Sequence, residues 1–248
     1  MADNNETHDR LLGGRVAIRQ PTRGYRVSID AVLLAASVET SQVGSVLDVG
    51  CGDGGATLCL AWRAPEIRLC GIDVRSDALE RFSASVTQNG WENRITGLLA
   101  DVGAGTAAQL RDTFDQVISN PPYLPVERMD RRMVSGEPDP ATTETVPLSH
   151  WIAFMLSSLR DGGRLNMVHR ADRLEDILTA VAGQAGEIEI YPIWPRAGAA
   201  AKRVIVSARK GVRGPSRLLS GLVLHDDDGA FTPAARAIFE DGAPLNCP

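Results

Sequence analysis

Asn120-Pro121-Pro122-Tyr123 closes an apolar run, Phe114 to Ser119, and its residue types have a chemistry in common. An exocyclic amine on a base or an amide is a weak nucleophile, because its lone pair is conjugated. The Asn120 side-chain oxygen and the Pro121 carbonyl can each accept one N–H of such an amine. Two acceptors draw the nitrogen toward tetrahedral geometry and free the lone pair. Pro121 and Pro122 have no N–H and a fixed φ, so the carbonyl direction is set in advance. Tyr123 offers a flat face, and stacking of this kind is worth about 1–3 kcal/mol per base in single-strand binders. Positioning, rather than a strong general base, supplies most of the rate in such a site.

A second stretch, Val49-Gly50-Cys51-Gly52-Asp53-Gly54-Gly55, reads as a turn between a strand and a helix. Its glycines permit a tight turn and let a ligand approach backbone N–H groups at a helix N-terminus. Gly50-x-Gly52-x-x-Gly55 satisfies a dinucleotide fingerprint, and Gly50-x-Gly52-x-Gly54 satisfies the version that takes S-adenosylmethionine (SAM). In either case Asp73, ending the next strand, would hold ribose hydroxyls. Asp48 leans toward SAM, whose ammonium and sulfonium are cationic; a pyrophosphate gains nothing from that carboxylate. A hydride-transfer site also has no use for Asn-Pro-Pro-Tyr.

These motifs need a frame, and the hydrophobic pattern supplies one. Apolar runs at 45–50, 67–73, 94–100, 114–119 and 164–168 alternate with helical periodicity at 56–62, around 78–82, at 148–159 and at 171–181. That alternation predicts an α/β fold with a parallel sheet and crossover helices. Residues 187–193 and 203–208 read as a closing strand pair. Ligands of open α/β sheets bind beyond the carboxyl ends of strands, so the tetrapeptide should sit beside the glycine loop. The first 40 residues read as an arm ending in a helix near Asp30 to Ala36. Residues 124–146 form a long, charged, Pro/Gly-punctuated loop, a length usually tied to function or disorder.

The 248 residues allow one large domain with extensions. At 44% hydrophobic and 23% charged, the composition excludes wholesale disorder, collagen and coiled coil. No apolar run approaches the length of a membrane span, and the polar start, Met1 to Glu6, has no signal-peptide pattern. Cys51, Cys59, Cys70 and Cys247 make no metal spacing, so no metal is expected, and reduced thiols point to the cytoplasm. The net charge of −5 hides a pattern. Arg10 to Ile29 holds five arginines and no acid, and Arg196 to Arg217 holds seven basic residues and no acid. The rest of the chain has 14 basic residues against 31 acids. Brought to one face, the two stretches would make a basic patch on an acidic body. His169-Arg170 reads as a surface pair, with a phosphate contact as the alternative, and Trp91, Trp151 and Trp194 read as core or interface.

Val46 to Gly54 together with Asn120-Pro121-Pro122-Tyr123 resembles the class I SAM-dependent methyltransferases that modify amino groups. With Gly24 to Leu34 and Lys202-Arg203-Val204-Ile205-Val206, the chain is similar to the bacterial tRNA1(Val) (adenine(37)-N6)-methyltransferase family over roughly residues 10–240. The resemblance implies a Rossmann-like seven-stranded sheet, mostly parallel with an antiparallel last strand and helices on both faces. It divides the chain into an arm and helix (1–40), a methyltransferase domain (41–212) and a C-terminal extension packed on it (213–248). It implies SAM as cofactor, with Asp48, Gly50, Gly52 and Gly54 at the methionine end and Asp73 at the ribose. Asp101 and Val102 would meet the adenine ring. Cys51 and Val74 are also expected to border the cofactor, Cys51 with no chemistry of its own. Asp30 either closes over the methionine moiety or caps its helix.

Asn120, Pro121, Pro122 and Tyr123 would engage a target adenine, flipped from a tRNA anticodon loop, with Asn120 also bordering the cofactor. Arg23, Arg26, Lys202 and Arg203 would grip phosphate, making binding salt-dependent. The segment after Tyr123 is longer than the family's pattern, mixing Arg128, Arg131 and Arg132 with Glu137 and Asp139. The expectation is a cytoplasmic tRNA adenine-N6 methyltransferase, monomer or homodimer, with no membrane partner. The alternatives are methylation of a protein glutamine, methylation of a small-molecule amine, and a SAM-binding RNA-interacting protein without turnover.

Overall fold

In the computed structural model, which describes residues 6–104, 107–125 and 143–245, the first element is one the sequence pattern did not reveal. Strands β1 (Glu6–Leu11) and β2 (Val16–Pro21) form an antiparallel hairpin. Val16 and Ile18 are fully buried, and the β2 backbone is pinned to a helix, with Ala17 N–H on Asn89 Oδ1 at 3.0 Å and Arg19 N–H on Ser85 Oγ at 2.9 Å. In β1 every residue but Leu11 is polar and alternate ones are exposed, so its alternation carries no apolar signal. The expected arm is therefore a docked hairpin followed by α1 (Ile29–Ser37). Ser28, not Asp30, caps that helix, its Oγ accepting from Asp30 N–H at 3.2 Å.

From there strands and helices alternate as expected: β3 (Ser45–Val49), α2 (Gly55–Arg63), β4 (Arg68–Asp73), α3 (Ser76–Asn89), β5 (Ile95–Leu99) and β6 (Phe114–Ser119). A short pair, β7 (Leu124–Pro125) and β8 (Thr143–Glu144), flanks residues 126–142, so Arg128, Arg131, Arg132, Glu137 and Asp139 lie outside the described residues. The second half runs α4 (Leu148–Ser158), β9 (Leu159–Arg170), α5 (Leu174–Val181), β10 (Ala185–Arg196) and β11 (Arg203–Lys210). It closes with β12 (Arg217–Leu218), β13 (Leu222–His225) and α6 (Pro233–Asp241). β9 begins earlier than the 164–168 run: Gly162, at φ +73°, sits in a bulge between the Phe114 and Gln116 registers instead of breaking the strand.

The main sheet has the order β12-β10-β11-β9-β6-β3-β4-β5, with β13 also paired to β10. Its seven principal strands match the expectation, parallel except for β11, which is antiparallel to β9 and β10. Among the described residues this sheet has nine strands rather than seven, because β12 and β13 add short parallel pairings at the β10 edge. Alternation along the strands feeds two cores. Val46, Ile118, Val168 and Ile205 face α1, α2, α3 and α6, while Leu47, Val117, Met167 and Val204 face α4 and α5. The order reverses between β3 and β6, so connections leave their carboxyl ends in opposite directions and open a crevice there.

Candidate active site

The carboxyl end of β3 enters the glycine turn through a fixed set of backbone bonds. Gly50 and Cys51 donate to the Ile72 carbonyl at 2.8 and 2.9 Å, and Gly54 donates to the Cys51 carbonyl at 2.9 Å. Gly54, at φ +91°, leads into α2, and a Cβ there would lie 2.1 Å from Phe82. A Cβ on Gly50, at φ +72°, would come within 2.9 Å of the Trp151 ring. Beneath the turn, Arg81 bridges the buried Asp53 and the exposed Asp77 of α3, both at 2.8 Å. The turn is thus held from below and left open above.

Above it is a cavity of about 420 Å³, a size suited to a small ligand. Asp48, Gly50, Cys51, Gly52, Asp73 and Val74 line it, with Asp101, Val102, Asn120, Pro121 and Pro122 on the same wall system. Gly54 lies behind the turn, and Asp30 and Tyr123 stand outside the lining. Asp48 is almost fully buried and accepts from Thr57 Oγ1 at 2.6 Å; burial, with Asp73 nearby, pushes its carboxyl up to about 7. A cationic ligand group placed there would supply the charge partner that Asp48 lacks among the described residues. Asp73 is fixed by Gly52 N–H on Oδ2 at 2.8 Å and Arg75 N–H on Oδ1 at 2.9 Å, leaving lone pairs for hydroxyls. Asp101 accepts from Gly103 N–H at 2.7 Å. Burial raises the Cys51 thiol well above its ordinary range, so it is an inert wall.

At the end of β6, Ser119 Oγ donates to the Val49 carbonyl at 2.7 Å and accepts from Trp151 Nε1 at 2.8 Å, tying β6, β3 and α4 together. Asn120 Nδ2 reaches the Tyr25 hydroxyl at 3.4 Å. The Tyr123 hydroxyl contacts Asn120 Oδ1 and lies 3.1 Å from Asp30 Oδ2. Arg203 Nε donates to the same Asp30 oxygen at 3.0 Å, and its guanidinium lies 5.1 Å from the Tyr123 ring centroid. The ring face expected to carry a base therefore carries a guanidinium. Burial raises both phenols, Tyr25 and Tyr123, above their ordinary value, so they stay protonated at neutral pH.

His169 is not a surface residue. It is completely buried, because it shares strand parity with Met167 on the α4/α5 face and Tyr123 packs against it. Of the cationic residues, Arg23 and Lys202 are exposed, whereas Arg26 is bound to Asp9 at 2.7 Å and Thr7 at 2.8 Å. The second basic stretch does not act as one patch. Arg203 sits at the site end of β11, while Lys210, seven residues on and paired with Asp112 at 2.6 Å, lies about 23 Å away at strand rise. Residues missed in the sequence include Trp151, Tyr25 and Arg75, all of which line the cavity. Trp151 had one signal, its place in the first turn of a helix that must cross β6. Among the described residues no group of three or more His, Cys, Asp or Glu is placed to hold a metal ion, and no helix is long and apolar enough to cross a membrane.

Comparison with known proteins gives the arrangement a context. The methyltransferase small domain family matches residues 25–135. A tRNA1(Val) (adenine(37)-N6)-methyltransferase from Porphyromonas gingivalis is 31% identical over 171 residues, covering 66% of each chain. The match thus spans just under two thirds of that relative's length. A relative of the same name from Actinobacillus succinogenes is 26% identical and covers 88% of this chain and 90% of its own. Among solved structures, a predicted O-methyltransferase from Agrobacterium tumefaciens superposes with a TM-score of 0.72 at 27% identity, covering 87% of this chain and 98% of that one.

Proposed function

We propose that this chain is a SAM-dependent methyltransferase related to those that carry the methyltransferase small domain, and that it methylates the N6 amine of an adenine in tRNA. The observation that carries the reading is one of placement: Asn120, Pro121 and Pro122 border the same cavity as the glycine turn, Asp48 and Asp73. The residues present fit the cofactor. The glycine turn gives it backbone room, Asp48 offers its buried carboxylate to the amino-acid end, Asp73 takes the ribose hydroxyls, and Asp101 with Val102 borders the adenine. When bound, SAM supplies an electrophilic methyl group.

The protein's part is to prepare the amine. Asn120 Oδ1 and the Pro121 carbonyl accept its two N–H groups, which takes the nitrogen lone pair out of conjugation. The Tyr123 hydroxyl gives up Asn120 Oδ1 as the amine arrives, and keeps Asp30 as its acceptor. A base that stacks on Tyr123 takes the place of the Arg203 guanidinium, which then turns to backbone phosphate beside Lys202. Arg23 adds a second phosphate contact, and Arg26 joins it only by exchanging Asp9 for phosphate. Residues 41–212 do the transfer, with 1–40 and 213–248 as extensions whose described parts, 6–40 and 213–245, pack on them, and a tRNA substrate puts the work in the cytoplasm.

The test is transfer from labelled SAM with three acceptors offered in parallel: unmodified tRNA, a release-factor protein and small amines. Label in the RNA supports the proposal. Label confined to protein or small amine overturns it.

A further inference from the structure

We infer that His169 is a positioning residue that fixes the ring plane of Tyr123 while the substrate is engaged. The inference rests on the proposed reaction at Asn120-Pro121-Pro122-Tyr123. Strand alternation places His169 and Arg203 on opposite faces of the sheet: His169 is registered with Val204 on the α4/α5 side, and Arg203 points to the α1 side with Asp30. Tyr123 stands at the strand ends between them. The His169 and Tyr123 rings meet edge to face, with centroids 5.1 Å apart and planes at 75°. The two contacts differ in kind. Arg203 is one-third exposed on a long flexible stem, whereas His169 has no exposed surface and sits inside a strand. When the guanidinium moves aside for a base, the imidazole stays.

The imidazole is itself immobilised. Its Nδ1 accepts from the Arg170 backbone N–H at 2.9 Å, which assigns the proton of the neutral ring to Nε2. Burial, reinforced by Arg173, pushes its pKa down to about 4, so the ring is neutral at physiological pH. Nε2 has no hydrogen-bond partner among the described residues. As mere filling, a histidine there is a poor choice, since its own Nε2–H is buried without a partner among the described residues. As a positioning residue it makes sense: one nitrogen locks the ring to the strand and its edge orients the tyrosine.

Two variants separate these parts. His169→Asn keeps an acceptor for Arg170 N–H and removes the ring. His169→Phe keeps the ring edge and removes the acceptor. We expect His169→Asn to lower kcat for tRNA about tenfold, as loss of one aromatic contact would, with SAM affinity changed less than about twofold. His169→Phe should stay within about threefold of the parent kcat while melting at a lower temperature. Parent activity in His169→Asn, or a loss in His169→Phe as large as in His169→Asn, would overturn the inference. A second readout needs no substrate. The chain has three tyrosines, so 13C-labelled tyrosine rings can be followed one by one in the SAM-bound protein. The Tyr123 ring should show restricted motion in the parent and in His169→Phe, and averaging in His169→Asn. If the parent transfers no methyl to RNA, the proposed function fails, and identical Tyr123 signals in the parent and His169→Asn would separately sink the role of His169.

Discussion

Asp48 and Asn120 border one cavity and do unlike work. Asp48 is buried and its carboxyl is held at about 7 without ligand. Its folded value lies above the unfolded one, so the folded state binds the extra proton and stability falls as pH rises from about 4 to 7. Asp48→Asn should therefore make the ligand-free protein melt higher at pH 8, while weakening SAM binding. SAM affinity of the parent should rise between pH 6 and 8 as Asp48 ionises against the ligand's positive charge, and Asp48→Asn should be flat across that range. Calorimetric titration at several pH values checks both, and a pH-independent parent would contradict the assignment. Asn120→Ala should cut kcat by about a hundredfold, on the scale of losing one preorganised acceptor, with SAM binding retained. Loss of SAM affinity in that variant would put the asparagine in the wrong pocket. Both residues could be read from the chain because each sits in a contiguous motif.

At the scale of elements, the glycine turn depends on Phe82. Gly54, Gly71 and Gly97 come from three separate elements, and a Cβ on them would lie 2.1, 3.0 and 3.2 Å from that one ring. Gly54→Ala adds a methyl to that crowded contact at a left-handed φ. It should cost about 2 kcal/mol or more in stability, an overpacking and strain effect, and lower SAM affinity with it. Denaturant melts with and without SAM measure this, and an unperturbed midpoint would show that the turn relaxes freely. Here the sequence told only part of the story. The strand–turn–helix order and most strands were legible from apolar runs, whereas the β1–β2 hairpin was not, since β1 is polar at every position but Leu11 and β2 is recognisable only once α3 covers it. The roles of Trp151, Tyr25 and His169 also lay out of reach. Their neighbours are set by the strand order β9-β6-β3, which brings residues about 70 to 120 positions apart to one end of the sheet.

Over the whole molecule, an acidic body presents limited positive charge to a polyanion. Arg26, Arg209, Lys210 and Arg217 are all paired with acids, while Arg23 and Lys202 are exposed, two residues before Tyr25 and one before Arg203. Composition showed the basic stretches, but a strand such as β11 divides its charges between two ends of the sheet, and a linear count cannot see that. Lys202→Ala should raise KM for tRNA, leave SAM affinity alone and reduce the log–log salt slope by about one phosphate's share. An unchanged slope would move the RNA path away from the β10–β11 turn.

The most direct test of the account is nucleoside mass spectrometry of tRNA after incubation with the protein and methyl-labelled SAM. Labelled N6-methyladenosine should be present with the parent and missing with Asn120→Ala. A different methylated nucleoside, or no labelled nucleoside from a protein that binds SAM, would contradict it.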